Sequence, residues 1–132
     1  MINVKKLIDR VRTEITMDTD ASDYRWTTAV MTDFVRQTVY ELLRIRKHLL
    51  LTSNGEPSRS DDFFAKMSDE GVAAETATIP IPERYTEALM SGVAMRCFLM
   101  DAADQNNAAR ASYERNRFYE LVGAPVAAAT TA

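Results

Sequence analysis

The sequence contains few of the residues on which catalytic and covalent chemistry depends. Its 132 residues include one histidine, His48, and one cysteine, Cys97. An intramolecular disulfide is impossible, and the chain starts without a basic and then apolar signal segment, so we expect it in a reducing cytoplasm. The histidine is accompanied by no nucleophile elbow, CxxC pair, phosphate-binding loop or dinucleotide fingerprint. We expect a binding or structural protein that is not an enzyme and has no cofactor or metal.

Basic charge and long apolar runs are also scarce. The 16 lysines and arginines are outnumbered by 19 acidic residues, which gives a net charge of −3. This balance disfavours a protein whose main work is to grip nucleic acid. The longest weakly charged run, residues 88–100, contains Arg96 and is too short to span a membrane. With 46% hydrophobic residues, the chain is expected to fold as one domain with its own core.

Apolar residues at three- and four-residue steps predict two amphipathic helices in the first half of the chain. Asn3 is placed to cap the first, and Thr27 to cap the second. The second runs without glycine or proline to about Leu51 and would reach about 35 Å. The predicted stripes are Val4, Leu7, Ile8, Val11 and Ile15 in the first helix and Met31, Phe34, Val35, Thr38, Leu42, Ile45 and Leu49 in the second. The residues expected outside the first stripe are Lys5, Lys6, Asp9 and Arg12.

The single tryptophan, Trp26, directly precedes the predicted cap Thr27. A large aromatic side chain at this point favours burial against the apolar stripe of the first helix. We predict that Trp26 is a core anchor for the start of the long helix. The remaining segments are expected to pack around that helix.

The acidic segment between the two helices, residues 16–23, predicts a loop, because its short polar side chains compete for backbone hydrogen bonds. Asp18, Asp20 and Ser22 match the first three ligand positions of an EF-hand. Asp23, however, stands at the glycine position, and Ala29 stands where the bidentate glutamate belongs. We therefore expect a loop that leads into the long helix, and no calcium site.

The second half opens with a long polar excursion, residues 52–75, in which only residues 61–68 favour a short helix. Residues 76–81 favour one short extended strand, which Pro80 and Pro82 restrict to a sheet edge or a straight arm. Two further helices are expected, one over residues 83–103 and one capped by Asn106 that continues through Tyr113 and Phe118 to Leu121.

The helix over residues 83–103 is apolar on two sides, which is typical of a helix sandwiched between others. Gly92 in its interior costs about 1 kcal/mol relative to alanine and indicates close approach of a neighbouring helix. Gly123 followed by Pro125 ends the last helix. The two apolar faces are Leu89, Val93, Cys97 and Met100 on one side and Met90, Ala94 and Phe98 on the other.

These segments together predict an all-α fold, a small helical bundle of about four helices with a long central helix. Residues 1–123 form the helical domain, and residues 124–132 form a flexible, extended C-terminal tail with too little apolar bulk to fold alone. We expect the tail, which includes Pro125 and Val126, to become ordered in a groove or at a sheet edge of another chain.

A basic face on the long helix is the main candidate interface with a partner. Such a face is either a solvated surface or a contact with an acidic partner. It consists of Arg36, Tyr40, Arg44 and Lys47, with Arg46 and His48 beside it.

Two other groups of residues have side chains that could act in catalysis, namely Cys97 with His48 and the pairs of carboxylates. Cys97 lies in an apolar stripe and is expected to pack in the core, and His48 is expected to have a surface or packing role. The carboxylate pairs are Asp61 with Asp62 and Asp101 with Asp104. Pairs of this kind arise readily by chance among 19 acidic residues, so they do not indicate acid–base catalysis.

The order of these features resembles the small head-to-tail adaptor proteins, also called head-completion or neck proteins, of tailed bacteriophages. The resemblance spans most of the chain and lies in the order and spacing of its motifs. The matching pieces are residues 7–12 (Leu-Ile-Asp-Arg-Val-Arg), the Asp-rich loop ending in Arg25-Trp26-Thr27, the long helix, Ile79-Pro80-Ile81-Pro82 leading to Tyr85, Ala88 and Leu89, and the ending from Asp101-Ala102 to Asn107-Ala108, Tyr113, Phe118 and Gly123.

The resemblance implies a structural virion protein at the head–tail junction, made in the host cytoplasm. Its subunits would join a homo-oligomeric ring of about twelve copies beneath the portal protein. The ring would extend the DNA channel and provide a platform for the next neck or tail-completion protein. An acidic balance suits such a channel if acidic residues face the lumen, because that wall does not retain passing phosphate.

Two alternatives remain open from the residues themselves. One is a small helical DNA-binding subunit with a packaging or regulatory role, for which Arg36, Arg44, Arg46 and Lys47 would supply the phosphate contacts. The other is a small enzyme of unrecognised type. A membrane role is not expected.

Overall fold

The computed structural model describes residues 2–20, 22–46, 78–79, 81–101 and 104–123. The predicted all-α class, a small helical bundle, is confirmed. The excursion 52–75 and the tail 124–132 lie outside the described residues. The elements in chain order are strand β1 (Ile2–Asn3), helix α1 (Val4–Glu14), helix α2 (Thr28–Ile45), strand β2 (Thr78–Ile79), a 3-10 turn (Glu83–Tyr85), helix α3 (Thr86–Met100) and helix α4 (Gln105–Val122).

Helix α3 occupies the centre of the bundle. Every residue over positions 88–95 is buried, and α4, α2 and α1 all pack on this helix. The prediction of a sandwiched helix here is therefore confirmed. The expectation that the other segments pack around α2 is wrong, because α2 keeps a polar, exposed side along its whole length.

Helix α1 begins where the sequence predicts. The Asn3 side chain accepts a hydrogen bond of 2.9 Å from the Lys6 amide, and the predicted stripe from Val4 to Val11 is buried. Just before the helix, Ile2 pairs with Ile79 in a two-stranded antiparallel sheet formed by β1 and β2. The strand predicted over residues 76–81 is thus present at Thr78–Ile79, and the structure adds its partner.

Helix α2 begins as predicted but ends early. Thr27 caps it by accepting a 3.3 Å hydrogen bond from the Val30 amide. The helix has 18 residues and ends at Ile45, so the expected extension to Leu51 is wrong. The backbone leaves the helical conformation at Arg46, whose side chain Nε donates to the Val122 carbonyl oxygen at 2.7 Å. Arg46 therefore caps the end of α4 and is not part of a basic face on α2.

The ends of α3 and α4 differ in detail from the prediction. Helix α3 stops at Met100, so Met100 is 61% exposed and does not belong to the buried face. Asp104, not Asn106, caps α4, because its side chain accepts a 2.9 Å hydrogen bond from the Asn106 amide. Gly123 ends α4 with a positive φ of 86°, and the predicted stop is confirmed.

Gly92 lies where α3 approaches both α2 and α4. A Cβ atom at this position would overlap with the Cγ2 methyl of Thr38 and lie 3.1 Å from Cδ1 of Phe118. Thr38 and Phe118 are both fully buried, so neither side chain has free space into which to move. The predicted close approach of a neighbouring helix is confirmed.

We expect Gly92→Ala to destabilise the fold by about 1 to 3 kcal/mol, although alanine is the better helix former. The physical reason is overlap with Thr38, and urea denaturation of the purified variant measures the loss. Thr38→Ser removes the overlapping methyl group, so the double variant should recover part of the loss. If Gly92→Ala is as stable as wild type, the helices are not in close contact at this point.

Candidate functional site

Arg12 joins α1 to the loop that follows it. The residue is 3% exposed, so the expectation that it lies outside the buried stripe is wrong. Its Nη1 donates to Asp18 Oδ2 at 3.2 Å and to the Trp26 carbonyl oxygen at 2.9 Å, and Nη2 donates to Thr28 Oγ1 at 3.4 Å. The guanidinium carbon lies 3.6 Å from the centroid of the Tyr24 ring. We call these five residues the Arg12 clasp.

The acidic loop uses its carboxylates to hold its own backbone. Asp18 accepts hydrogen bonds from the backbone amides of Arg25 and Trp26 at 3.0 and 3.2 Å, and Asp20 accepts from the amide and hydroxyl of Ser22. The predicted loop is confirmed for residues 16–20 and 22–23, the described part of the range 16–23. Among the residues that the structure describes, no cluster of side chains is arranged to hold a metal ion.

Trp26 is held between this loop and α3. The residue is 4% exposed, and its ring meets Phe98 edge-on with centroids 6.4 Å apart. Arg25 lies over the indole at 5.1 Å and forms a 2.8 Å ion pair with Asp101 at the end of α3. The start of α2 is thereby joined to the central helix.

The other candidate catalytic residues in the described part of the chain, Asp101, Asp104 and Cys97, make contacts that stabilise the fold. Asp101 pairs with Arg25 and Asp104 caps α4, so the two carboxylates serve different contacts. Cys97 is buried with its Sγ 3.3 Å from Met31 Sδ. Burial raises the pKa of the Cys97 thiol to about 12, which keeps it protonated and unreactive at neutral pH. The prediction that Cys97 packs in the core is confirmed.

The predicted basic face on α2 is only partly exposed. Arg36 is half-buried and pairs with Asp33 at 3.0 Å, whereas Tyr40 is 47% exposed and Arg44 is exposed. Arg44 forms no ion pair with any residue in the described part of the chain. The remaining predicted interface residues, Lys47, Pro125 and Val126, lie outside the described residues, as does His48.

Arg96 links α3 to α2. It donates to Glu41 Oε2 at 3.0 Å and to Thr38 Oγ1 at 3.2 Å, and Glu41 Oε1 accepts from the Tyr119 hydroxyl of α4 at 3.2 Å. The side chains of Arg96 and Glu41 are 14% and 20% exposed. One carboxylate thus ties three helices together along one side of the bundle.

A groove of about 420 Å³ opens on another side, between α3, α4 and the end of α1. The rim charges are largely matched, since Glu14 pairs with Arg10 at 2.7 Å and Glu87 pairs with Arg117 at 3.3 Å. The guanidinium carbon of Arg110 lies 5.5 Å from the Phe98 ring centroid. The residues that line the groove are Glu14, Ile15, Glu87, Met90, Ser91, Phe98, Arg110, Tyr113, Glu114 and Arg117.

Glu114 is the buried charge of this groove, whereas Arg110, which also forms no ion pair within the described residues, is exposed at its rim. Glu114 is 7% exposed, and Ser91 beside it is 1% exposed. Neither Glu114 Oε2 nor Ser91 Oγ has a hydrogen bond of standard geometry. Burial raises the pKa of the Glu114 carboxyl, while the nearby Ser91 hydroxyl and the charge of Arg117 oppose the rise. A buried carboxylate without full compensation is costly to the fold, which makes the groove the best candidate for a binding site.

We expect Glu114→Gln to stabilise the protein at neutral pH, by about 1 kcal/mol or a melting temperature higher by roughly 3 to 5 °C. Because burial raises the folded pKa of Glu114 above the ordinary value of a glutamate, the folded state binds more protons than the unfolded state just above that ordinary value. Wild-type stability attributable to this group therefore falls as pH rises from about 4.5.

The gain from Glu114→Gln should accordingly be largest near pH 7 and become small toward pH 4, where the carboxyl is mostly protonated in both states. Thermal melting across this pH range is the measurement. Glu120→Gln, the same change at an exposed position of the same helix, is the control and should alter stability by no more than about 0.5 kcal/mol. A gain that does not depend on pH would contradict the assignment.

The sequence reasoning missed Arg12, Arg96 and Glu114 as functional or structural centres. Each lies on a helix at a position where a charged side chain ordinarily faces water. A signal existed for Arg12, because the Asp18 carboxylate and the Tyr24 ring follow within one loop. No local signal identifies Glu114, because its burial depends on the approach of α3.

Comparison of the chain with protein-family models, with curated proteins and with solved structures finds no match. Among the helices of the described residues, none combines the length and the apolar character needed to cross a membrane.

Proposed function

We propose that this chain is a head-to-tail adaptor of a tailed bacteriophage. In this proposal its copies form a ring under the portal, extend the DNA channel and offer a platform to the next neck or tail protein. The protein would then reside at the head–tail junction of the virion. A mainly helical fold agrees with what the resemblance implies.

The observation that supports the proposal best is the role of the motif residues in the fold. Two pieces of the resemblance, residues 7–12 and the Asp-rich loop that ends in the Arg-Trp-Thr run, meet in the Arg12 clasp. Arg25 of the same run reaches Asp101, which begins the last matching piece. The motifs therefore belong to one physical unit that joins α1, α2 and α3, which is a reason for their order and spacing.

The pairing of cations supports a protein partner over DNA. Phosphate binding requires lysines and arginines that are free to replace counterions. In the described part of the chain, the cations that instead pair with carboxylates are Lys5, Arg10, Arg12, Arg25, Arg36, Arg96 and Arg117.

Electron microscopy of the protein mixed with portal rings from the same phage tests the proposal. We expect an added layer of density beneath the portal ring. Charge reversal at Arg44 and Lys47 should weaken this attachment without unfolding the protein, because Arg44 is exposed and exposed substitutions rarely change stability by more than about 0.5 kcal/mol. Reversal of Lys5 and Lys6, two exposed cations of α1, changes the net charge equally and is the control.

Two results would count against the adaptor function. One is a portal ring that carries no added density at any protein concentration. The other is tight, salt-dependent binding of the wild-type protein to duplex DNA at physiological salt, which would favour the DNA-binding alternative. Removal of residues 125–132 separately tests the predicted docking role of the tail, since attachment should weaken while the melting temperature stays the same.

A further inference from the structure

The groove beside Glu114 has the composition of a site for a cationic side chain. Its lining includes the buried Glu114 carboxylate and the apolar side chains of Met90 and Phe98, beside the arginines Arg110 and Arg117 at the rim. A lysine or arginine side chain combines an apolar stem with a charged end and suits such a surface. The groove is a partly open cleft and not an enclosed cavity, which favours a side chain offered by another polypeptide over a small molecule that must be enclosed.

The same chain carries a complementary group on a different helix. Arg44 of α2 is exposed and forms no ion pair within the described residues. Tyr40, one turn earlier, is 47% exposed and adds an aromatic surface. An arginine next to a tyrosine is a favoured combination at protein interfaces.

We infer that the groove of one copy receives Arg44 of a second copy, with the guanidinium placed against Glu114. The groove and the Arg44 surface lie on different parts of the molecule, so the contact is heterologous, and a pair of copies keeps one free Arg44 surface at one end and one free groove at the other. Repeated contacts of this type close into a ring when the rotation per subunit allows it. This inference deepens the proposed function, since it rests on the ring and names the contact that builds it.

The contact also accounts for the retention of a destabilising group. Glu114 is only partly compensated in the single chain, by the nearby Ser91 hydroxyl and the charge of Arg117, whereas a guanidinium in the groove would supply both charge and hydrogen-bond donors. A residue that lowers monomer stability and raises affinity for a partner is a known form of trade-off between stability and function. A purely structural glutamate would not show both effects.

Cross-linking between two variants that each carry one added cysteine tests the contact. Tyr40→Cys is mixed with a tagged Tyr113→Cys variant, since Tyr113 lines the groove and is 61% exposed, and a short bis-maleimide is added. The native Cys97 is buried and should not react. We expect the yield of cross-linked mixed dimer to exceed the yield from the control pair, Lys6→Cys with Tyr113→Cys.

Second substitutions in these variants identify the two charges. Glu114→Gln in the Tyr113→Cys chain and Arg44→Gln in the Tyr40→Cys chain should each lower the mixed-dimer yield by about tenfold. Both together should lower it little further, because partners in one contact are not additive. Lys6→Gln in the Tyr40→Cys chain removes the same charge and should leave the yield unchanged.

A mixed-dimer yield no higher than that of the control pair overturns the inference, and so do losses that multiply in the double variant. Neither result decides whether the wild-type protein attaches to the portal, because electron microscopy measures that attachment without any variant at Arg44 or Glu114. Conversely, the Glu114 and Arg44 substitutions could prove non-additive in a protein that never binds portal. That outcome would support the contact between copies and contradict the adaptor function.

Discussion

Trp26→Ala should lower the free energy of unfolding by about 3 to 5 kcal/mol. The indole is 4% exposed, and its removal leaves a cavity beside Phe98, whose ring it meets edge-on. The loss is a large part of the total stability of a typical domain, about 5 to 15 kcal/mol. Thermal and urea denaturation of the purified variant measure it.

Tyr113→Ala is the control for this experiment, since it also removes an aromatic ring but at a position that is 61% exposed. Its effect should stay within about 0.5 kcal/mol. A melting temperature of Trp26→Ala equal to that of wild type would show that Trp26 does not anchor the core. Trp26 would then become a candidate for an interface with another subunit.

Arg12→Met should also cost about 3 to 5 kcal/mol, because it leaves the Asp18 carboxylate buried without its cation. Methionine keeps most of the apolar stem, so the loss reports mainly on the charge and the hydrogen bonds. The side chains of Arg12 and Asp18 are 4% and 8% exposed, which removes most of the screening that weakens surface pairs. Urea denaturation at pH 7 is the measurement.

The double variant Arg12→Met with Asp18→Asn distinguishes a buried pair from simple loss of packing. Removing both charges should recover part of the loss, because no unpaired carboxylate remains. Arg10→Met removes the arginine of an exposed pair on the same helix and should cost no more than about 0.5 kcal/mol. Equal losses for Arg10→Met and Arg12→Met would contradict the clasp.

Local patterns in the sequence predicted the helices and several of their ends. The caps Asn3 and Thr27 and the stop at Gly123 depend on hydrogen bonds and backbone angles within a few residues, so the sequence alone identifies them. The burial of Cys97 and the close contact at Gly92 were also predictable, because both follow from the apolar surroundings of one helix. The absence of a catalytic motif gave the expectation of a binding protein, which stays a prediction.

Other features depend on contacts between segments that are far apart in the chain. Helix α2 stops at Ile45 while Arg46 caps α4, and an uninterrupted amphipathic pattern gives no sign of that distant carbonyl. The pairing of Ile2 with Ile79 likewise joins the two halves of the chain. The groove and its only partly compensated Glu114 exist because α3, α4 and the end of α1 meet around them. Composition and periodicity thus determined the helical class and the capped helices. Tertiary packing decided which individual charges are buried. The reason is that a helix pattern shows which side of a helix is polar but not which other segment covers that side.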